Sequence, residues 1–206
     1  IEMTKDIKLT FDKGLSEMLG RVALANEQTK ATKKKLKVSS KLNPRSFGEL
    51  AFDYVGEQKA YYFSITGWSA DVTDFIEKIE PPYRSNVPVG FDHHFFMSTL
   101  MENRGIFSRA GGKIYLSEVR SIDETMKHIE HCLNDHYIPK IENFLTGAPP
   151  LITNVVDNPD FYSYPIPLIS FVLKRNSMKF EELKLSLGKT LVKNPAFDKA
   201  LLESSS

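Results

Sequence analysis

The strongest constraint on the fold is a pair of alternating runs in the first third of the chain. In Phe47–Val55 apolar residues alternate with more polar ones, and Lys59–Trp68 repeats this pattern. A period of two is typical of strands with one buried face. Gly56-Glu57-Gln58 lies between the runs, and a short loop with glycine at this place predicts a β-hairpin. The chain must therefore cover one face of an antiparallel sheet.

Two long helices are predicted to provide that cover. The first spans about Thr10 to Lys35, and the second runs from an N-cap at Ser121 to about Leu145. Ser121 and Glu124 have the spacing of a capping box, and Gly147 ends the second pattern. Both segments carry apolar residues at the three- and four-residue spacing of a helical stripe. The stripes are Phe11, Leu15, Met18, Leu19 and Val22 in the first, and Ile122, Met126, Ile129, Leu133, Tyr137, Ile141 and Phe144 in the second.

The remaining segments give weaker patterns. Asp71–Ile79 is typical of a short helix, whereas residues 91–101 fit a helix or a strand equally well, so most of 69–104 is unassigned. Gly105–Arg109 and Lys113–Val119 flank a turn at Ala110-Gly111-Gly112 and predict a second hairpin. Beyond residue 153 the pattern is helical again, with helices expected at about Ile166–Lys174 and Lys179–Val192 and a short turn near Pro195–Leu202.

The order of these elements predicts the fold class. An α+β protein with an antiparallel sheet has elements in the order found here, namely helix, hairpin, mixed segment, hairpin, long helix and C-terminal helices. We expect one α+β domain over residues 1–206, with a sheet built from two hairpins and packed by the long N-terminal and central helices. Residues from about 150 to 203 form its helical C-terminal section.

Composition restricts the class of protein and its location. The 206 residues are 41% hydrophobic and 26% charged, as in an ordinary soluble globular protein. Cys132 is the one cysteine, so an internal disulfide is excluded and a reducing compartment is favoured. No secretory signal is visible at the first residues. The apolar stretch Tyr164–Leu173 is too short to cross a bilayer. A cytoplasmic protein without membrane contact is expected.

Charge is unevenly distributed although the chain as a whole carries only +1. Residues 1–45 contain 11 basic and 5 acidic side chains, and residues 46–145 contain 9 and 15. A lysine run could contact phosphates, or it could lie in the last turn of a helix, where the macrodipole favours cations. The low net charge favours the helical reading, so nucleic acid is not an expected partner. The run comprises Lys30, Lys33, Lys34, Lys35, Lys37, Lys41 and Arg45.

Two groups of residues are considered as metal sites. His128, Cys132 and His136 follow one another at four-residue spacing on the central helix. Their ends are about 12 Å apart, so at most two could bind one ion. Asp92-His93-His94 matches the DHH signature of a phosphoesterase superfamily, but no Asp-x-Asp precedes it. No metal, cofactor-binding or catalytic residue is therefore assigned, and no cofactor is expected.

Two further features were weighed for binding. Arg109-Ala110-Gly111-Gly112-Lys113 lacks the spacing of a phosphate loop, because Phe107 and Ile114 stand where that motif needs Gly and Ser or Thr.

Tyr61 and Tyr62 point to opposite faces of one strand, so one of them, together with Trp68, could lie on a surface that binds bases or a partner protein. Cover by a helix is the commoner arrangement and is the one expected.

The layout resembles that of small bacterial α+β families of unknown function, some of which occur beside toxin genes as immunity proteins. The features that carry the resemblance are a Lys-rich first helix, the hairpin at Glu49–Trp68, and the run Lys113–Val119 leading into the helix at Ser121–Leu145. The absence of a complete catalytic motif and the separated charge of residues 1–45 and 46–145 predict a non-catalytic protein-binding module, such as an immunity or accessory protein, whose partner is another, unidentified protein. The alternative is a metal-dependent hydrolase or phosphoesterase-like enzyme that uses residues from Asp92, His93, His94, His128 and Cys132.

Overall fold

The computed structural model describes residues 2–88, 93–99 and 112–205, and the fold they form is α+β. The strands are β1 (Thr29–Thr32), β2 (Lys35–Ser39), β3 (Phe47–Val55), β4 (Ala60–Trp68), β5 (Phe95–Ser98) and β6 (Ile114–Tyr115). The helices are α1 (Glu2–Ala25), α2 (Ala70–Ile79), α3 (Ile122–Cys132), α4 (Ile138–Thr146), α5 (Pro150–Asp157), α6 (Pro165–Arg175) and α7 (Pro195–Glu203). A π-helical segment, Leu133–Tyr137, joins α3 to α4.

The strands form one antiparallel sheet in the order β1-β2-β3-β4-β5, and β6 also pairs with β4. The predicted hairpin is confirmed as β3 and β4, joined by a short 3₁₀ turn at Gly56–Gln58. In the other hairpin, β1 pairs with β2, and Thr29 lies opposite Val38 while Lys30 lies opposite Lys37. β1 is the edge strand of this order.

Contacts divide the chain into two compact units, each assembled from three segments. Unit 1 contains Ile1–Ser39, Gly48–Thr66 and Met97–Ile141, and unit 2 contains Ser40–Phe47, Gly67–Phe96 and Glu142–Ser206. The single domain expected from the sequence is not tested by this division and stays a prediction.

The core of unit 1 forms where α1 packs on the inner face of β4. All five residues of the predicted α1 stripe are fully buried. Phe11 stacks on Tyr61 with the ring centroids 4.9 Å apart. Along α3, Arg21 of α1 forms an ion pair with Glu130 at 2.9 Å. Gly48 of β3 permits a close approach, since a Cβ there would lie 2.3 Å from Cγ1 of Ile141.

The central helix begins and ends where the sequence predicts. The Ser121 side chain accepts a hydrogen bond from the backbone N of Glu124, and the helical course ends before Gly147, which has a φ of 62°. The π-helical segment between α3 and α4 was not predicted. A π-helix has more residues per turn than an α-helix. The buried faces of α3 and α4 therefore do not continue one α-helical stripe across this segment.

The predicted helix at residues 10–35 is wrong over its last third. α1 ends at Ala25, and the lysines assigned to its last turn lie in the β1–β2 hairpin. The physical reason is a change of period. The apolar stripe stops at Val22, whereas Leu36 and Val38 are buried and alternate with exposed lysines. Lys33, with a φ of 51°, makes the turn between the strands.

Unit 2 is built around α6, in which every residue from Pro165 to Leu173 is buried. Phe75 of α2 packs on Phe171 with the ring centroids 5.6 Å apart. Arg175, at the end of α6, forms an ion pair with Asp71 of α2 at 2.9 Å. The predicted helices at 71–79 and 166–174 are thus confirmed as α2 and α6, and the short turn predicted near 195–202 is the nine-residue helix α7.

The predicted helix at Lys179–Val192 is wrong. This segment contains one 3₁₀ turn, Phe180–Leu183, and Lys184 has a φ of 50°. Leu183, Leu185 and Leu187 are half-buried and alternate with exposed residues, which is the period of extended chain rather than of a helix. α5 was not predicted, although proline at its first position is well tolerated in the first turn of a helix.

The predicted second hairpin is only partly described. Ile114 and Tyr115 form β6 opposite Tyr61 and Ala60, and a 3₁₀ turn follows at once, so the strand expected over Lys113–Val119 is two residues long. The other arm, Gly105–Arg109, lies outside the described residues. In the ambiguous stretch, Phe95–Ser98 is a strand.

Candidate functional site

A pocket of about 400 Å³ opens in unit 2 and holds two of the histidines that the sequence singled out. Trp68 comes from the end of β4, Glu77 from α2, His93 and His94 from the segment before β5, and Tyr164 from the residue before α6. The volume lies in the range of pockets that bind small molecules. Ser85, from the loop after α2, completes the set of separate chain segments that converge on this cavity.

His94 is held through both its backbone and its ring. Its backbone N donates a hydrogen bond to the carbonyl oxygen of Gly67 at 3.1 Å, and its own carbonyl oxygen accepts one from the backbone N of Ser163 at 2.9 Å. The imidazole Nδ1 lies 2.7 Å from Ser163 Oγ. The backbone and the ring are therefore both fixed.

The imidazole of His94 is neutral at pH 7. Burial, together with the neighbouring His93, lowers the pKa of His94 to about 4. A neutral ring that bonds through Nδ1 keeps Nε2 for a second hydrogen bond, as donor or acceptor according to the tautomer. Ser163 is only 2% exposed, so its hydroxyl orients the ring and is not open to attack a substrate in the pocket.

The DHH triplet is only partly brought to this site. His93 and His94 both line the pocket, whereas Asp92 lies outside the described residues. Over residues 2–88, 93–99 and 112–205, no group of three or more His, Cys, Asp or Glu side chains is arranged to hold a metal ion. The hydrolase alternative gains no supporting observation from the described residues.

The second predicted group lies in unit 1 and forms a pair rather than a triad. Cys132 Sγ is 3.7 Å from His128 Nε2. The ring of His136 instead packs edge-on against Tyr137, with the centroids 4.8 Å apart. The π-helical segment begins at Leu133 and so separates Cys132 from His136. Burial, with a smaller effect of Lys140, lowers the pKa of His136.

The lysine run forms a charged surface on unit 1. On the outer face of the β1–β2 hairpin lie Lys30, Lys35 and Lys37, which we call the basic strip. Lys35 Nζ lies 2.9 Å from Oε1 of Glu49 on β3, and this hydrogen bond raises the pKa of Lys35. Glu49 and Asp53 form a neighbouring acidic strip on β3, since residues four apart on a strand share a face.

Lys34 points to the opposite side of the hairpin. Its Nζ lies 3.1 Å from Oδ1 of Asp12 on α1 and 5.3 Å from the centre of the Tyr61 ring. Tyr61 is fully buried under α1, whereas Tyr62 and Trp68 are half-buried on the other face of β4. The lysine run is therefore divided between a structural contact and an open surface.

Sequence reasoning did not identify Glu77, Ser85 or Tyr164 as pocket residues. They lie on separate elements, and no local spacing relates them to His93 or His94. Trp68 was considered only as a surface aromatic residue. Only the tertiary arrangement reveals this site.

Comparison with known proteins identifies no relative. No protein-family model, curated protein or solved structure matches the chain. Among the helices that the structure describes, none has both the length and the apolar character required to cross a membrane.

Proposed function

We propose that the protein is a non-catalytic binding module that recognises another protein through the basic and acidic strips of unit 1. One observation carries the proposal: Lys30 lies directly opposite Lys37 on the edge hairpin. Lys35 lies on the same face, and the three side chains form a positive surface that carboxylates of a partner can match.

The charge pattern favours a protein over nucleic acid as the partner. Lys35 shares the outer face of the hairpin with the other two lysines, and its ammonium group lies 2.9 Å from the carboxylate of Glu49. The acidic strip would repel phosphates, but it can match basic side chains on a protein whose own surface carries both signs. Complementary charge patterns of this kind raise association rates and exclude wrong partners. A role as an immunity or accessory protein stays a prediction.

A charge-reversal pair tests this proposal. We expect Lys30→Glu with Lys37→Glu to weaken partner binding by at least about tenfold, mainly through a lower association rate. The partner is first captured by cross-linking in cells that carry the gene, then purified and titrated against the chain by biolayer interferometry. Affinity should also fall as salt rises, because exposed charges are screened.

The matched control is Lys179→Glu with Lys189→Glu, which makes the same change in net charge at exposed positions of unit 2. This variant should bind like the wild type. Equal affinity of the wild type and the Lys30/Lys37 variant, or equal loss in both variants, would overturn the proposal. Circular dichroism shows whether each variant is folded.

Nucleic acid binding is expected to be absent at physiological salt. The basic strip offers three lysines next to two carboxylates, and binding through a few phosphates falls steeply as salt rises. Labelled duplex and single-stranded oligonucleotides should show no submicromolar binding at about 150 mM salt. A submicromolar affinity that disappears in the Lys30/Lys37 variant would assign the strip to nucleic acid instead.

A further inference from the structure

The pocket of unit 2 is independent of the surface proposed above and has its own chemistry. Its aromatic lining includes Trp68 and Tyr164, and the ring centroids of Tyr164 and His94 lie 6.4 Å apart. The faces of aromatic rings carry partial negative charge and attract cations. An aromatic wall of this kind suits a ligand with an apolar body and a positive group.

The charge of the lining points the same way. Glu77 supplies a carboxylate, and no Lys or Arg is among the described residues that line the cavity. His94 adds no positive charge at pH 7, because burial lowers its pKa to about 4. Among the described residues, the lining therefore offers an incoming ligand one carboxylate and neither a lysine nor an arginine.

A hydrogen-bond acceptor is also available. The ring of His94 is held through Nδ1 by Ser163 at 2.7 Å, so Nε2 is the nitrogen not used in that bond. In the tautomer whose Nδ1–H donates to Ser163 Oγ, Nε2 accepts a hydrogen bond. An ammonium group can only donate hydrogen bonds, and Nε2 of His94 and the carboxylate of Glu77 can both accept them.

We propose that this pocket binds a small organic cation, namely an amine with an apolar body, between the aromatic side chains Trp68 and Tyr164 and the acceptors Glu77 and His94. The amine's charge pairs with Glu77 and contacts the ring faces, while its apolar part occupies the cavity beside Ile76. This site lies on a different unit from the proposed protein-binding surface, so either can fail without the other.

Trp68 is the one tryptophan of the chain, so its fluorescence reports on this pocket directly. The probes are cyclohexylmethylamine, cyclohexanecarboxylate and cyclohexylmethanol, which share a ring and differ in charge. We expect a saturable change with the amine at a Kd on the order of 1 mM, as befits a ligand of this size. The carboxylate and the alcohol should bind at least about fivefold more weakly.

Two variants test whether the carboxylate of Glu77 binds the amine. Glu77→Gln should weaken amine binding by at least about fivefold. Asp74→Asn is the matched control, since it removes the same charge from an exposed position of α2 that does not line the pocket, and it should bind the amine as the wild type does. The proposal is overturned by no saturable response to the amine, by equal binding of the carboxylate, or by an unchanged affinity in Glu77→Gln. Equal losses in both variants would also overturn it.

Discussion

Asp198→Ala is expected to lower the free energy of unfolding by about 3 kcal/mol. Asp198 is 1% exposed, and its carboxylate accepts hydrogen bonds from the Tyr83 hydroxyl at 2.6 Å and from the backbone N of Lys193 and of Asn194 at 2.9 and 3.1 Å. Removing the carboxylate leaves these donors without an acceptor at the start of α7. Urea denaturation followed by circular dichroism measures the change.

Lys199→Ala is the control for this variant. Lys199 lies on the same helix, its side chain is 77% exposed, and it makes only a surface ion pair with Glu203 at 3.8 Å, so the loss should stay below about 0.5 kcal/mol. Tyr83→Phe removes a single donor and should cost about 1 kcal/mol. A loss of less than 1 kcal/mol in Asp198→Ala would contradict the assigned role.

Asp12→Ala should cost about 2 to 3 kcal/mol, because Asp12 connects three elements of unit 1. Its carboxylate on α1 accepts hydrogen bonds from Lys8 at 2.7 Å and from the hydroxyl of buried Tyr61 on β4, and it pairs with Lys34 at 3.1 Å. The Tyr61 hydroxyl would then keep the hydrogen bond that it accepts from Lys34 but lose the acceptor for its own proton.

The same carboxylate makes stability depend on pH. Burial raises the pKa of Asp12, but the hydrogen bonds from Lys8, Tyr61 and Lys34 outweigh that effect, so the pKa lies below its ordinary value. Such a group stabilises the fold above its unfolded pKa of about 3.9 and loses this contribution as the pH falls through the folded value. Asp12→Asn should therefore be less stable at neutral pH and lose less stability on acidification below about pH 4.

Glu17→Gln provides the comparison, since Glu17 is an exposed carboxylate on the same helix. Its acid unfolding profile should follow that of the wild type. If Asp12→Asn and Glu17→Gln gave the same dependence on pH, the hydrogen bonds to Asp12 would not be a source of stability.

The fold class could be predicted because its main signals are local. Alternation in β3 and β4, the buried α1 stripe and the Ser121 cap each depend on neighbours within a few residues, and all three are confirmed. Where the period changed, prediction failed. After Val22 the apolar pattern changes from a period of 3.6 residues to a period of two, yet a helix was predicted there. A helix was also predicted at 183–187, where the leucines alternate with exposed residues.

The candidate site could not be predicted in the same way. His93 and His94 drew attention as part of a triplet, yet in the structure their neighbours include Glu77 and Tyr164, which are distant in sequence. The cross-strand pair Lys30 and Lys37 required the register of a hairpin that was not predicted. The pocket and the lysine pair both depend on contacts between separate elements of the fold. The local periodicity of a sequence does not predict such contacts.

The segmented composition of the two units limits how the protein can be divided. Ordered along the sequence, their six segments alternate, so the chain passes from one unit to the other five times. Ending the chain after Ile141 would remove most of unit 2 and leave Ser40–Phe47 and Gly67–Phe96 without the helices they pack on. Both units need contacts between residues far apart in sequence, which slow folding because long loops must close first. Neither unit can be obtained by truncation, and a single proteolytic cut cannot release one of them intact.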